Sequence, residues 1–174
     1  MVILGIDPGL ANTGFGAIAC GNESLSVFRC GSIKTLPRDH VSRRLFQIHS
    51  DLSQLMAAVR PEVIAVENIF SLVRYPKAGI LLGGVMAIIY LAAFQHDTAV
   101  MEVSPREVKN ALAAYGGATK AQIREATKRA LAIDELKSFH VADALAVALT
   151  VFYRRYRGKS DIIPGRSAKK NILR

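Results

Sequence analysis

The chain has 174 residues, of which 51% are hydrophobic, 7% are aromatic and two are cysteine. A chain of this length and composition can bury a full hydrophobic core, so collagen-like, disordered and disulfide-stapled classes are excluded. The formal charge of +9 favours a polyanionic partner without specifying a fold.

The excess positive charge lies mainly at the C-terminal end. Residues 151–174 contain eight Lys or Arg residues and one acidic residue, Asp161, so they carry +7 of the formal +9. We therefore divide the chain into one domain over residues 1–157 and a basic tail over residues 158–174, which we expect to be flexible. The composition leaves two interpretations of the tail open, a solubilising terminus or a contact with nucleic acid.

The N-terminal half of the domain begins with three predicted strands. They cover residues 2–7, 14–19 and 25–33, where apolar runs are separated by turn signals. Residues 40–59 have apolar side chains at helical spacing, which predicts an amphipathic helix. Residues 63–66 form a short run rich in β-branched side chains, which is typical of a parallel strand buried on both faces.

The apolar run over residues 78–94 contains no charged side chain and is at the short limit of a membrane span. It includes Gly79, Gly83 and Gly84 and follows strand-like segments, so we predict a buried core or interface helix and no membrane. No export signal precedes Asp7. A hairpin turn at residues 21–23 would place Cys30 away from Cys20, so we expect no disulfide and a cytoplasmic protein.

The C-terminal half of the domain contains one further strand and three helices. The strand is predicted over residues 98–103 and the helices over residues 105–114, 120–131 and 138–157. Ser104 and Thr119 belong to the residue types that cap helix N-termini. The element order β-β-β-α-β-α-β-α-α-α predicts an α/β fold with a mixed five-stranded sheet flanked by helices.

Three acidic residues end or interrupt apolar segments. Asp7 ends the first predicted strand, Glu67 follows the fourth, and Asp143 lies within the apolar last helix. An ionised carboxylate that loses water without gaining a partner is strongly destabilising, so these positions indicate nearby cations. Singly, each acid is also compatible with a helix cap or a surface salt bridge. Together they favour a site.

We expect these acids to converge. If the first and fourth strands are parallel neighbours, Asp7 and Glu67 emerge at one edge of the sheet, while His140 and Asp143 share one face of the last helix. Carboxylate oxygens suit Mg²⁺, and two such ions can activate a water and stabilise the leaving oxygen of a phosphoryl displacement. We therefore predict a phosphodiester hydrolase that uses two Mg²⁺ ions, with Mn²⁺ as a substitute because imidazole suits that ion.

Three segments of the sequence resemble those of the RuvC family of Holliday-junction resolvases. They are residues 5–14 (GIDPGLANTG), 66–70 (VENIF) and 142–146 (ADALA). The resemblance extends over about residues 1–157. It implies a ribonuclease H-like fold, a homodimer, and symmetric metal-dependent cleavage of two strands at a four-way DNA junction in recombination and repair. It also implies a branch-migration motor complex as a partner.

The resemblance also implies roles for individual residues. Asp7, Glu67 and Asp143 match the family's acidic catalytic and metal-binding positions. Phe70 matches its base-stacking aromatic residue, and Lys109 and Lys120 match its basic residues near the scissile phosphate. Many members have a fourth acid where this chain has His140. We include His140 among the catalytic and metal-binding candidates, and its role stays open between metal ligand and general base.

Two further cations, Arg74 and Lys77, are candidate DNA-binding residues close to a predicted helix start, where backbone N–H groups also favour phosphate. Without the resemblance, these scattered charges are equally typical of a solvated rim, and Phe70 is typical of a core residue.

Two other function classes fit parts of the pattern. Residues 7–14 also look like the first phosphate-binding hairpin of actin and sugar-kinase ATPases, but those proteins need two such domains and this chain has room for one. A non-catalytic nucleic-acid-binding module fits the charge, but an acid cluster without metal would repel phosphate. The endodeoxyribonuclease is the function that we predict.

Overall fold

The computed structural model describes residues 1–21, 24–68, 76–113, 116–136 and 138–156. Its strands are β1 (Val2–Asp7), β2 (Asn12–Cys20), β3 (Leu25–Lys34), β4 (Val63–Glu67) and β5 (Ala99–Val103). Its helices are α1 (Val41–Val59), α2 (Pro76–Gln95), α3 (Pro105–Ala113), α4 (Lys120–Leu131) and α5 (Phe139–Tyr156). The predicted order of elements is confirmed. The largest difference among the strands is at β2, which begins at Asn12 because Asn12 and Thr13 already pair with β3.

The five strands form one mixed sheet in the order β3-β2-β1-β4-β5. The first three form an antiparallel meander, and β4 pairs in parallel with both β1 and β5. All four residues from Val63 to Val66 are buried, which confirms the prediction of a parallel strand covered on both faces. In the β1–β4 register Ile6 lies opposite Val66, so the residues that follow, Asp7 and Glu67, leave the sheet at the same edge.

Each face of the sheet has its own hydrophobic core, because successive strand residues point to opposite faces. Ile3, for example, belongs to the core beneath α3, α4 and α5, whereas Leu4 belongs to the core beneath α1 and α2. The sheet is therefore the middle of three layers, and α5 crosses β1 and β2 on the first of these faces.

Three glycines in β1 and β2 allow α5 to lie close to the sheet. A Cβ atom at Gly5 would be 1.9 Å from the backbone oxygen of Ala144, and one at Gly14 would be 2.3 Å from that of His140. At Gly16 it would be 2.6 Å from the side chain of Leu145. No larger residue fits without displacement, so the glycines set the distance between α5 and the end of β1.

The apolar helix α2 has one face on the sheet and one face open. Val85, Ile89 and Ala92 are fully buried in the core that α2 shares with α1. On the other side, Ile80 and Phe94 are 75% and 85% exposed. Within the described chain, one helical stretch, Lys77–Gln95, is long and apolar enough to cross a membrane by length and composition alone. Its buried face agrees with the predicted core or interface helix.

The two cysteines are free and do not face each other. Cys30 lies opposite Gly16 in the β2–β3 ladder, as the predicted hairpin requires. Residues 22 and 23 of the predicted turn lie outside the described residues.

Candidate active site

The two strand-end acids are held in a partly desolvated position at the carboxyl edge of the sheet. The side chain of Asp7 is 15% exposed. Burial raises the pKa of Asp7 and the pKa of Glu67 from their ordinary values. The charge of Asp143 raises both further, and that of Asp7 adds to the effect on Glu67. A bound cation would therefore offset both the burial of these carboxylates and the repulsion between their charges.

His140 and Asp7 are joined across 133 residues of sequence. Nδ1 of His140 lies 2.7 Å from Oδ2 of Asp7. This hydrogen bond lowers the pKa of Asp7 and so opposes part of the effect of burial. The expected convergence of the first strand with the last helix is confirmed, and the close approach at Gly14 is what allows this contact.

Lys120 provides a positive charge beside the acids. Its ammonium group lies 3.3 Å from Oδ2 of Asp143, which is one helical turn beyond His140 on α5. Asp143 raises the pKa of Lys120, and the charges of Asp7 and Glu67 raise it further. The lysine side chain is 79% exposed, so the pair adds little to stability. Its ammonium group nevertheless marks where this group of acids attracts a cation.

The backbone of α4 holds Lys120 at the first position of that helix. The side chain of Thr119 accepts from the backbone N–H of Gln122, and the Gln122 side chain accepts from the backbone N–H of Thr119. This reciprocal capping box stabilises the helix start. It confirms Thr119 as the predicted N-cap.

The donor set fits a hard divalent ion in its chemistry. Asp7, Glu67 and Asp143 supply the carboxylate oxygens that Mg²⁺ and Mn²⁺ both accept, and His140 supplies a ring nitrogen, which suits Mn²⁺ better than Mg²⁺. As the side chains stand, no group of three or more His, Cys, Asp or Glu residues in the described chain converges on one point closely enough to hold an ion. Asp7 is engaged by His140 and Asp143 by Lys120.

The other predicted DNA-contacting residues are more dispersed. Lys109 is half-buried on α3, and Lys77 is exposed at the start of α2. Neither makes an ion pair with another described residue. Phe70 and Arg74 lie outside the described residues, as does the predicted tail over residues 158–174.

Sequence reasoning missed the glycines that position the site. From the sequence, Gly5, Gly14 and Gly16 were interpreted as strand or motif residues and not as contacts with a helix. Glycine inside a strand often marks a close approach of another backbone, and that signal was present at all three positions.

The sheet order, the helices on both faces and the acids at the carboxyl edge define a ribonuclease H-like protein. The family model described as "Crossover junction endodeoxyribonuclease RuvC" matches residues 3–151. The chain therefore belongs to the RuvC family of crossover junction endodeoxyribonucleases. Enzymes of this family depend on divalent metal ions.

Relatives and solved structures agree with this assignment. The crossover junction endodeoxyribonuclease RuvC of Dictyoglomus turgidum is 35% identical over 156 residues, which are 89% of this chain and 98% of that protein. The Thermus thermophilus RuvC structure has a TM-score of 0.81 at 32% identity, and the match covers 94% of this chain and 99% of that chain. T. thermophilus RuvC in complex with Holliday junction substrate has a TM-score of 0.85 at 32% identity, and the match covers 91% of this chain and 96% of that chain.

The yeast mitochondrial Holliday junction resolvase Ydc2 shares the fold, with a TM-score of 0.60 at 13% identity over 90% of this chain and 82% of its own. The family match favours the nuclease over both other function classes considered from the sequence.

Proposed function

We propose that this protein is a structure-selective endonuclease that resolves four-way DNA junctions by paired phosphodiester hydrolysis. The observation that carries the proposal is the juxtaposition of Asp7, Glu67, His140 and Asp143, from β1, β4 and α5, in a member of the RuvC family. The relative of known structure from T. thermophilus was solved with a Holliday junction substrate. Its likeness to this chain supports the same substrate here.

We propose that Asp7, Glu67, His140 and Asp143 hold two Mg²⁺ ions, for which Mn²⁺ can substitute. When bound, such ions supply an activated water and stabilise charge on the leaving oxygen. Asp7 and Glu67 contribute partly buried carboxylates whose mutual repulsion a cation relieves. His140, hydrogen-bonded to Asp7, is placed either to complete the ligand set or to accept a proton from the attacking water.

Lys120 is suited to act on the DNA phosphate. Its exposed ammonium group is beside Asp143, so a phosphate that approaches the acids meets a positive charge there. Because negative charge increases on the phosphate oxygens in the transition state, a nearby cation accelerates the reaction. We assign the same role to Lys109, a stacking role to Phe70, and phosphate contacts to Arg74, Lys77 and the basic tail over residues 158–174, with the nuclease domain ending at residue 157.

The open face of α2 supports a homodimer. Its exposed apolar side chains include Ile80, Leu91 and Phe94, and a Cβ atom at Gly83 would meet nothing within 4 Å. A second copy of the chain would cover this face and present two active sites to one junction, as paired cleavage requires. We further propose a cytoplasmic location and a branch-migration motor complex as a partner.

The test uses a synthetic four-way junction, a matched linear duplex, and reactions with and without Mg²⁺. We expect wild-type protein to make paired cuts in the junction only with the metal ion, and to leave the duplex intact. Asp7→Asn and Glu67→Gln should bind the junction but lose most cleavage, because a carboxamide is a poor ligand for a hard cation. The exposed Glu62→Gln change is the matched control. Near wild-type cleavage by either active-site variant in saturating Mg²⁺ would contradict the proposal.

A further inference from the structure

Glu102, on the edge strand β5, has a carboxylate that links two other elements. The hydroxyl of Tyr90 on α2 donates to Oε1, and Nδ2 of Asn68 donates to Oε2 at 2.7 Å. Both oxygens of one carboxylate are thus used, by a helix on one side and by the end of β4 on the other. Hydrogen bonds to an ionised acceptor are among the stronger ones in proteins.

Asn68 is the residue that directly follows Glu67. Its backbone N–H donates to the carbonyl oxygen of Val103 at 2.8 Å, and Glu67 itself pairs with Val103 in the β4–β5 ladder. Asn68 is therefore held through its backbone by β5 and through its side chain by Glu102. A rotation of the chain at Glu67 would have to break both contacts.

The backbone of Glu102 is also held from the opposite layer of the molecule. The guanidinium group of Arg154, on α5, donates to the carbonyl oxygen of Glu102 at 3.3 Å and forms an ion pair with Glu107 at 2.5 Å. The Tyr90 hydroxyl remains a donor over a wide pH range, because desolvation and the Glu102 carboxylate raise the pKa of Tyr90 to about 12. Residue 102 is thus connected to α2, β4 and α5.

We propose that Glu102 is a positioning residue for Glu67: through Asn68 it holds the end of β4, and through Tyr90 it ties that position to α2. The inference rests on the proposed role of Glu67 as an active-site carboxylate. Glu102 itself contacts neither DNA nor a metal ligand in this scheme. Glu102 fixes the position of the Glu67 carboxylate relative to Asp7 and Asp143.

The experiment compares Glu102→Gln and Glu102→Ala with the wild type and with Glu62→Gln, an exposed acid just before the opposite end of β4. Single-turnover cleavage and junction binding are measured separately. Loss of a group that hydrogen-bonds a metal ligand directly typically lowers activity about 10- to 100-fold. Glu102 acts on Glu67 through Asn68, so we expect a loss at the lower end of that range for Glu102→Ala. We expect a smaller loss for Glu102→Gln, because its amide oxygen still accepts one bond, and unchanged junction affinity for both.

Amide hydrogen exchange provides a readout that does not depend on the metal-loaded enzyme. In Glu102→Ala, exchange at Asn68 should become faster while exchange in β1 and β2 stays at the wild-type rate. Unchanged cleavage in Glu102→Ala overturns the inference. A slower reaction accompanied by uniformly faster exchange and a lower melting temperature also overturns it, because that pattern reports general destabilisation.

Glu67→Gln separates this inference from the proposed function. If Glu67→Gln cleaves junctions normally, the proposed function fails. If Glu67→Gln is inactive and Glu102→Ala is as active as the wild type, only the positioning role of Glu102 fails.

Discussion

Asp7 and Glu67 are acids that the fold holds at the expense of its own stability. Burial raises the pKa of each, so the folded protein binds their protons more tightly than the unfolded chain does. Their contribution to the free energy of unfolding is therefore fully present below the carboxylate pKa values of the unfolded chain. It is lost as the pH rises through the higher pKa values of the folded protein. At neutral pH the ionised pair therefore opposes folding unless a cation is present.

We expect Glu67→Gln to raise the melting temperature of the metal-free protein at pH 7, because it removes a partly desolvated charge that two other acids repel. For a chain of this size, each 1 kcal/mol corresponds to about 2–4 °C. The gain should disappear below about pH 4, where Glu67 is protonated in both states. Calorimetry in chelator at both pH values measures this change in melting temperature, with Asp134→Asn, at an exposed acid, as the control.

Addition of Mg²⁺ should then stabilise the wild type more than Glu67→Gln, because an ion that binds only the folded state shifts the folding equilibrium. A lower melting temperature for Glu67→Gln at pH 7 would contradict the role of burial at this position.

His140 makes the choice of metal ion testable. Its Nδ1 atom is used by Asp7, so Nε2 is the nitrogen that can meet a metal ion or a water. If His140 is a ligand, activity in Mn²⁺ should at least equal that in Mg²⁺, and His140→Asp should remain active with its preference moved towards Mg²⁺. Cleavage rates in the two ions measure this. If His140 is instead the general base, its substitution should reduce the cleavage rate by a similar factor with either ion. Wild-type cleavage rates for His140→Ala would exclude both roles.

At the scale of elements, the decisive contact is that of α5 with β1 and β2. A methyl group at Gly5 would overlap the backbone oxygen of Ala144, which follows Asp143 directly. Overpacking of a core usually costs about 1–3 kcal/mol. Because the obstacle is backbone and cannot rotate away, we expect Gly5→Ala to lie at or beyond the upper end of that range and to move Asp143.

Thermal unfolding and junction cleavage test this expectation, and the matched control is Gly84→Ala. A Cβ atom at Gly84 would lie 3.6 Å from Leu45, which is ordinary contact, so that variant should keep wild-type stability or gain some. Equal behaviour of the two variants would mean that α5 can move away from the sheet without penalty.

At the scale of the whole molecule, the open face of α2 governs assembly. A leucine at position 83 has space on the isolated chain, so Gly83→Leu should fold normally but obstruct a second copy. We expect sedimentation to show a folded monomer, with a wild-type circular dichroism spectrum, and junction cleavage to lose its paired character. An intact dimer of Gly83→Leu would place the interface elsewhere.

Much of the fold follows from local patterns in the chain. Apolar runs predicted all five strands. Helical spacing predicted α1 and α5, a long uncharged apolar run predicted α2, and capping residues predicted α3 and α4, with ends that differ by at most two residues. Asp7 and Glu67 were predicted to lie together because each follows an apolar strand run, and the parallel β1–β4 pair brings such ends to one edge. Phe70 was predicted from the family resemblance, Arg74 from its place near a predicted helix start and the tail from its charge, and all three lie outside the described residues.

The sequence by itself determined the element order, the family and the edge at which the acids gather, because apolar periodicity and strand ends are properties of neighbouring residues. Only the tertiary structure decided that His140 meets Asp7, that Lys120 meets Asp143 and that Glu102 holds Asn68. These partners are 133, 23 and 34 residues apart. Their contacts depend on how closely α5 packs over glycine and on the β4–β5 register, which arise from packing of the whole chain and leave no periodic signal in the sequence.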